Sequence, residues 1–348
     1  MYYPSKIEIE KKLEDIPNQI LLEQKYTYKD DAAKIFPEYS EMELHGKGKI
    51  ENYSIYPGID LSFFCLLTDR AVLQHDAIDS VIEINYCRQG RIGWEMKDKR
   101  VLYLGPGDFS IHTLSLCSDS AISLPLGYYE GIVVCIDTQI LKLEQPEALY
   151  GTPITGDFLY QKFCANGDLS IFPGSEHTNT LFNGLFDLPE SLRLAYFKLK
   201  VQELLLYLYS LSPSTKGNPT QYQADQIHTI KLIHNELVDN LDKRITIDEL
   251  AKKYLMNSST LKSVFKAVYG SSIAAHTKEH RMEKAAVLLR ESEKSISQIA
   301  KMVGYESQSK FTIAFQDFFG VLPKEYRKAH VAISKKSVLN QVNNATEK

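Results

Sequence analysis

Short runs of β-branched and aromatic residues recur through residues 1–170, separated by turn signals. The clearest are Val81–Arg88, Arg91–Met96 and Arg100–Leu104, which precede the tight turn Gly105-Pro106-Gly107-Asp108. Strands and turns at this short spacing are typical of an antiparallel sandwich or barrel. The pattern therefore predicts a β-rich first half of the chain.

The hydrophobic period becomes helical from Glu176. A helix from Ser191 to Tyr209, entered through Pro189, places apolar side chains on one stripe: Leu194, Phe197, Val201, Leu204, Leu205 and Leu208. This stripe fits either packing on its own domain or pairing with a second subunit, and the pattern leaves both open. Residues 212–222, polar with two prolines and a glycine, are typical of a linker.

A helix-start pattern then occurs in the first of two similar segments. Thr246 and Glu249 have the spacing of a capping box. Asn257 is a good N-cap for a second helix, which Gly270 ends and whose inward face carries Leu261, Val264, Phe265 and Val268.

The same pattern repeats further along the chain. Ser295 and Gln298 have the box spacing, and Ser307 caps a helix that Gly320 ends, with Phe311, Ala314, Phe315 and Phe318 facing inward. Asn257 and Ser307 lie 50 positions apart. A helix from Ile273 to Ser292 connects the two segments, and a connector of that length could hold two recognition helices about one duplex turn apart, roughly 34 Å.

The outer faces of the two capped helices combine short hydrogen-bonding side chains with cations. Such a mixture suits close approach to base edges and phosphates. The predicted DNA-binding residues are Ser258, Ser259, Lys262, Ser263 and Lys266 in the first helix, and Gln308, Ser309, Lys310, Thr312 and Gln316 in the second.

Charge is distributed unevenly along the chain. Residues 223–348 hold 20 basic and 14 acidic residues, a balance of +6, whereas residues 1–222 hold 20 basic and 30 acidic residues, a balance of −10. Positive charge confined to one end is what a polyanion-binding domain needs. The charge distribution supports the prediction of a DNA-binding domain, although it would not establish that prediction alone.

Residues 228–330 resemble the DNA-binding domain of the AraC/XylS family over essentially its full length. Arg281-Met282-x-x-Ala285-x-x-Leu288-Leu289 is similar to the family's central helix. The family signature is matched by Ile296-Ser297-x-Ile299-Ala300-x-x-Val303-Gly304-Tyr305-x-Ser307-Gln308-Ser309-x-Phe311-x-x-x-Phe315-x-x-x-Phe319-Gly320-x-x-Pro323-x-x-Tyr326-Arg327.

The resemblance implies roles for individual positions. Ser259, Lys262 and Ser263 would contact bases in the first helix and Gln308, Ser309 and Lys310 in the second, with Lys266 and Thr312 nearer phosphates. Two positions depart from the family pattern. Ile313 stands where members often carry Arg or another polar residue, which predicts fewer base contacts or a methyl contact, and His276 replaces a common Tyr, which we interpret as a packing variation.

The β-rich half resembles the cupin-like effector domain of many members of this family. An antiparallel barrel can enclose a small ligand, and Tyr86, Trp94, Tyr103 and Phe109 are the candidate effector-binding residues, with core filling as the alternative. Only His75, Glu83 and His112 stand near the positions of a cupin metal site and no His-x-His occurs, so no metal or cofactor is expected.

Other function classes find little support. Five scattered cysteines without a Cys-x-x-Cys pair argue against a disulfide framework or a zinc cluster. The polar N-terminus and the lack of a long apolar run predict a cytoplasmic protein without a membrane segment. No catalytic motif stands out, so an enzyme is not expected.

Together these observations predict an α+β two-domain protein. Its parts would be a cupin-like β-rich effector domain (1–175), a helical dimerisation or packing segment (176–211), a linker (212–222), a double helix-turn-helix domain (223–330) and a flexible tail (331–348). The predicted function is a one-component, effector-controlled transcription regulator, such as an activator. Its partners would be promoter DNA, an unknown small-molecule effector, a second copy of the chain and, as a candidate, RNA polymerase. The alternatives are a cupin metalloenzyme with a DNA-binding appendage and a ligand-independent regulator.

Overall fold

The computed structural model describes residues 3–27, 43–44, 46–72, 77–95, 100–117, 121–167, 169–212 and 222–329. Most of the predicted linker, the turn at residues 97–99 and the predicted tail lie outside these ranges. Contacts divide the chain into two compact units. The sheet-rich unit is Met1–Ile227 with Val268–Gly270, and the helical unit is His228–Ala267 with Ser271–Lys348.

The strands of the described residues all belong to the sheet-rich unit. They are β1 (Ile20–Tyr26), β2 (Glu43–Leu44), β3 (Lys47–Tyr56), β4 (Ile59–Leu67), β5 (Arg70–Val72), β6 (Val81–Gly90), β7 (Ile92–Glu95), β8 (Arg100–Leu104), β9 (Phe109–Thr113), β10 (Ala121–Ser123), β11 (Tyr129–Asp137), β12 (Ser170–Phe172) and β13 (Tyr222–Gln223).

The helices that the structure describes occur in both units. They are α1 (Tyr3–Lys12), α2 (Thr138–Leu143), α3 (Gly156–Phe163), α4 (Glu176–Asn183), α5 (Glu190–Ser210), α6 (Ala224–Asp239), α7 (Ile247–Lys253), α8 (Ser258–Tyr269), α9 (Ile273–Glu291), α10 (Ile296–Met302) and α11 (Gln308–Phe319). A further helical stretch covers residues 323–329.

Two sheets organise the sheet-rich unit. The larger has the order β1-β3-β4-β11-β6-β9-β12 and is antiparallel except for the parallel pair β1 and β3; the smaller has the order β13-β8-β7-β10-β5-β2. Gly90, which was predicted in a turn, is instead the last residue of β6, and its φ of 81° marks the change of direction there. The predicted β-rich half is confirmed, whereas its cupin-like character stays a prediction.

The central strands β6 and β11 of the larger sheet are buried on both faces, whereas the edge strand β1 is not. One face packs against the smaller sheet through side chains such as Phe64, Val133 and Trp94. The other face is covered by helices, whose Phe182 and Phe197 pack on Ile84 and its neighbours. Because both faces are buried, β11 has a continuous apolar run instead of a strict alternation.

The stripe of α5 packs on its own domain. Phe197, Val201, Leu204, Leu205 and Leu208 are buried in the core between the helices and the larger sheet, and Leu194 packs against it partly buried. The first of the two alternatives for this stripe is therefore the one observed. Among the residues the structure describes, no helix has the length and apolar character needed to cross a membrane.

Candidate nucleic-acid interface

The first helix-turn-helix motif comprises α7 and α8. Thr246 Oγ1 accepts from the Glu249 backbone N–H at 3.3 Å, while the Glu249 carboxylate accepts from the Thr246 backbone N–H at 2.7 Å. These reciprocal bonds satisfy two N–H groups that the start of a helix leaves without partners. The Thr246 backbone N–H and hydroxyl both donate to the Glu249 carboxylate, which holds the pKa of Glu249 below its ordinary value. The predicted capping box is confirmed.

Helix α8 begins and ends as its sequence predicts. Asn257 Oδ1 accepts from the Ser259 backbone N–H at 2.8 Å, and Gly270 follows the helix with a φ of 78°. The predicted inward residues Leu261, Val264, Phe265 and Val268 are all buried. Because this face is buried, the opposite face of α8 points to solvent.

The second motif, α10 and α11, has the same construction. Ser295 and Gln298 form a capping box, and Ser307 Oγ accepts from the Lys310 backbone N–H at 3.3 Å. Phe311, Ala314 and Phe315 are buried in a core shared with α9 and α10. Gly320 ends α11 with a φ of 74°.

The turns of the two motifs differ by one residue. The boxed helices α7 and α10 are offset by 49 positions, whereas α8 and α11 are offset by 50. Both turns need a left-handed residue at the same place: Leu255 has a φ of 52° and Gly304 a φ of 78°. Leu255 is also 94% exposed, so its side chain gains little from packing.

An arginine from the following helix closes each motif. Arg281 of α9 donates through Nε to the Leu241 carbonyl and through Nη2 to the Lys243 carbonyl, both at 2.8 Å. Arg327 donates in the same way to the carbonyls of Leu289 and Lys294, at 3.3 and 2.7 Å. Each clamp thus ties the helix that follows a motif to the chain segment that leads into that motif.

The structure brings the sequence-predicted DNA-binding residues onto the outer faces of α8 and α11. Eight are exposed and two are half-buried. The exposed ones are Ser259, Lys262, Ser263, Lys266, Gln308, Ser309, Lys310 and Gln316, and the half-buried ones are Ser258 and Thr312. Ile313 is 62% exposed on the same face of α11.

Several of these polar groups already have local partners. Ser259 Oγ donates to Asn257 Oδ1 at 2.6 Å, Ser263 Oγ donates to the Thr260 carbonyl at 3.0 Å, and Lys310 Nζ lies 3.2 Å from Glu306 Oε2. The Lys310 pair is highly exposed, so it contributes little and yields readily to a phosphate or a base.

Three of the four sequence-predicted effector residues lie in two separate cores. Tyr86 stacks on Phe182 and Phe109 on Phe172, with ring centroids 4.4 and 4.8 Å apart, in the core under the helices. Trp94 belongs to the core between the two sheets. Tyr103 is half-buried, and burial raises the pKa of its hydroxyl.

A cavity of about 290 Å³ opens elsewhere in the sheet-rich unit. Aromatic and charged side chains line it, among them Phe63, Phe197, Arg193, Lys12, Glu51 and Glu130. None of the four predicted effector residues is among its lining residues. Its walls come from strands and helices distant in sequence, so only tertiary structure could show it.

The histidines considered for a cupin metal site are only partly described. His75 lies outside the described residues. His112 is fully buried, and its Nε2 lies 3.9 Å from Glu83 Oε1, because Glu83 and His112 are paired in register on β6 and β9.

Comparison with known proteins supports the helical unit as the DNA-binding part. A family model described as a helix-turn-helix domain matches residues 250–329. The Transposon Tn10 TetD protein of Escherichia coli is 35% identical over 117 residues, which cover 32% of this chain and 85% of that protein.

A second relative and a solved structure are also similar to part of this chain. The HTH-type transcriptional activator RhaR of Pectobacterium carotovorum is 28% identical over 156 residues, 44% of this chain, and the chain spans 55% of that relative's length. A transcriptional regulator with an AraC-type DNA-binding domain from Chromobacterium violaceum is 23% identical, with 31% of this chain and 96% of that one covered and a TM-score of 0.29.

The motifs, their spacing and these relatives agree on what the helical unit is. Two capped helix-turn-helix motifs lie in tandem between Thr246 and Gly320, and the family model matches them from residue 250 onward. The curated relatives include transcription regulators, which supports a DNA-binding regulator instead of an enzyme. The chain belongs to the AraC/XylS family of DNA-binding transcription regulators.

Proposed function

We propose that this regulator reads DNA through α8 and α11, each entering a major groove of one duplex. The observation that carries the proposal is the pair of outward faces, each held by a buried opposite face and a capped start. Lys262 and Lys266 supply cations on α8, whereas α11 combines Gln308, Lys310 and the exposed Ile313. Amide and lysine groups suit base edges, and an isoleucine suits a thymine methyl group.

The test is the double variant Lys262→Ala with Lys310→Ala. Since each base contact contributes about 1–3 kcal/mol, affinity for a duplex that the wild-type chain selects from a random library should fall tenfold or more. Lys11→Ala, an exposed lysine of α1, is the matched control and should bind as wild type does. Unchanged binding by the double variant would refute the proposal that the outer faces of α8 and α11, the reading faces, contact DNA.

We also propose that a small molecule bound in the sheet-rich unit controls the regulator. The cavity of about 290 Å³ lies near the lower end of the range for small-molecule sites, and it offers both aromatic surface and charged groups. Phe197 and Arg193, two of its lining residues, belong to α5. A ligand that favours one position of α5 would therefore shift the equilibrium between two states of the protein.

This proposal predicts ligands whose stabilisation depends on the cavity. Leu185→Trp fills part of it, so a compound that raises the melting temperature of the wild-type chain should lose that effect in the variant. If Trp94→Phe removes the effect instead, the effector binds among the sequence-predicted residues. If no metabolite stabilises the wild-type chain, the regulator is ligand-independent.

Dimerisation through α5 is the third part of the proposal. Leu192, Leu199 and Leu206 recur every seven residues on the solvent side of α5 and are 58%, 65% and 49% exposed. Leucines seven residues apart supply one of the two apolar positions of the heptad by which helices pair with a second copy. Leu199→Glu should convert a dimer to a monomer in analytical ultracentrifugation, while Leu143→Glu, at an 83% exposed leucine of α2, should not.

A further inference from the structure

Three histidines meet inside the helical unit, away from both reading faces. His234 lies on α6, and His276 and His280 lie one turn apart on α9. One ring nitrogen from each lies within 4.8 Å of the other two. His276 is buried, whereas His234 and His280 are half-buried, so the cluster has a protected side and a side open to solvent.

The ring geometry is close to that of a set of metal ligands. His276 Nε2 and His280 Nε2 lie 3.1 Å apart. Two imidazole nitrogens on one tetrahedral zinc ion are about 3.4 Å apart, given zinc–nitrogen bonds of about 2.1 Å. Histidines four residues apart on a helix present their rings on one face, which is the arrangement of a helical zinc-binding pair. The ring nitrogen of His234 lies within 4.8 Å of the other two and would have to move closer when an ion binds.

Neighbouring groups orient two of the rings. His280 Nδ1 lies 3.2 Å from Glu283 Oε2, which leaves Nε2 to face the cluster. His234 Nδ1 lies 3.3 Å from Asn235 Oδ1, a contact that orients the His234 ring. A carboxylate on the distal nitrogen of a ligating histidine fixes its orientation and raises its basicity as a ligand.

We propose that His234, His276 and His280 bind one divalent transition-metal ion of the zinc type, with water at the fourth position. Three imidazole nitrogens suit zinc, copper or nickel better than calcium or magnesium, which prefer oxygen ligands. The ion would join α6 to α9, the helix that connects the two motifs. The proposal is independent of the reading faces and of the cavity.

The experiment is a cobalt titration of the full-length chain, free of any histidine tag and stripped of metal with a chelator. The expected result is one Co²⁺ per chain, with visible absorption typical of nitrogen ligation, displaced by an equivalent of Zn²⁺. Cysteine ligation would add intense near-ultraviolet absorption, and all five cysteines lie in the sheet-rich unit. That absorption, or no binding, would overturn the proposal.

Three variants locate the ion. His280→Gln and His234→Gln should each weaken binding at least tenfold, and Glu283→Gln should weaken it by about tenfold to a hundredfold through His280. His228→Gln is the matched control, because His228 is an exposed histidine of the same helix α6.

Folding is checked by far-UV circular dichroism of each metal-free variant. Zn²⁺ should raise the melting temperature of the wild-type and His228→Gln chains and leave that of His280→Gln unchanged. A folded His280→Gln chain that binds Co²⁺ as tightly as wild type would show that the cluster is a packing arrangement only.

Discussion

The two helix-turn-helix motifs share one design but solve its strained positions differently. The first motif places Leu255 at the left-handed position of its turn, where a side chain costs about 1 kcal/mol. The capping box of its first helix, α7, is completed by the carboxylate of Glu249. The second uses Gly304 and boxes α10 with the amide of Gln298. The second turn is crowded and the first is open, so equivalent substitutions should differ in both size and sign.

The largest effect is expected at the crowded turn. A Cβ on Gly304 would lie 2.4 Å from the Leu241 carbonyl oxygen and 2.6 Å from Arg281 Nη2, so Gly304→Ala should cost about 3 kcal/mol of unfolding free energy. Gly320→Ala is the control: it has a similar φ but open space, and should cost only about 1–2 kcal/mol.

Urea unfolding can separate this effect from general damage. Trp94 is the single tryptophan and belongs to the sheet-rich unit, so its fluorescence follows that unit. Circular dichroism is dominated by helices and follows the helical unit more closely. A Gly304→Ala chain whose helical transition is no lower than that of Gly320→Ala would contradict the crowding argument.

The arginine clamps should rank next. Lysine cannot donate to two carbonyls in a fixed fork, so Arg281→Lys should cost about 2 kcal/mol. Arg327→Lys should cost less, because one of its two bonds is long at 3.3 Å. The same urea experiment measures both, and equal losses would mean that the two motifs depend on their clamps alike.

At the DNA, the motifs should differ through Ile313 and Ser263, which occupy equivalent positions of α11 and α8. If Ile313 contacts a thymine methyl group, Ile313→Ala should weaken binding about fivefold, within the range of a single base contact. Replacing that thymine with uracil should weaken the wild-type chain to a similar extent and leave the variant unaffected. If the losses of affinity from Ile313→Ala and from the uracil duplex add up when the two changes are combined, Ile313 does not contact the methyl group.

A smaller change of opposite sign is expected at the open turn. Leu255→Gly removes the left-handed strain but adds chain entropy to the unfolded state, so the net stabilisation should be about 0.5 kcal/mol. A higher urea midpoint with an unchanged slope would show it. Destabilisation would mean that the exposed leucine has a contact role.

The smallest expected difference between the two motifs is the pH dependence of the stability that their capping boxes confer. Because the pKa of Glu249 is lowered in the folded chain from 4.5, its capping bonds add stability above that pH and lose it as the pH falls through the folded-state pKa. Glu249→Gln should flatten the pH dependence of helical stability in this range, whereas Gln298 does not titrate and Gln298→Ala should leave its shape unaltered.

Local chemistry explains which parts of the helical unit were predictable. Capping boxes, Asn257, Ser307 and the closing glycines act within a few residues, so their pattern is visible in the sequence and was confirmed. Leu255 carries no such signal, since a leucine gives no sign of a left-handed turn. Leu255 lies 49 positions before Gly304, the same offset as between α7 and α10. Aligning the two motifs with this offset would have indicated a left-handed residue at Leu255.

Contacts between distant residues were not predictable. His234 and His276 are 42 positions apart, and each clamp arginine reaches a carbonyl more than 30 positions away. In the sheet-rich unit, the strands between Val81 and Leu104 were predicted. The arrangement of the strands into one sheet of seven and one of six was not predicted, nor was the cavity lined by Phe63 and Phe197. Which residues bind the effector stays a prediction.

Two clamps hold α9: Arg281 near its middle donates to the Leu241 and Lys243 carbonyls, and the Leu289 carbonyl near its C-terminal end accepts from Arg327. The length of this connector therefore sets how the second motif is rotated relative to the first. Adding one residue to a helix rotates everything after it by about 100° and advances it by about 1.5 Å. One inserted alanine in α9 would thus turn the second motif away from the groove that the first motif faces. Seven inserted residues, close to two full turns, would restore the rotation but shift the second motif by about 10 Å, a third of a duplex turn. If α8 and α11 enter two grooves as proposed, we expect the length of α9 to set which base-pair spacing between half-sites the protein accepts.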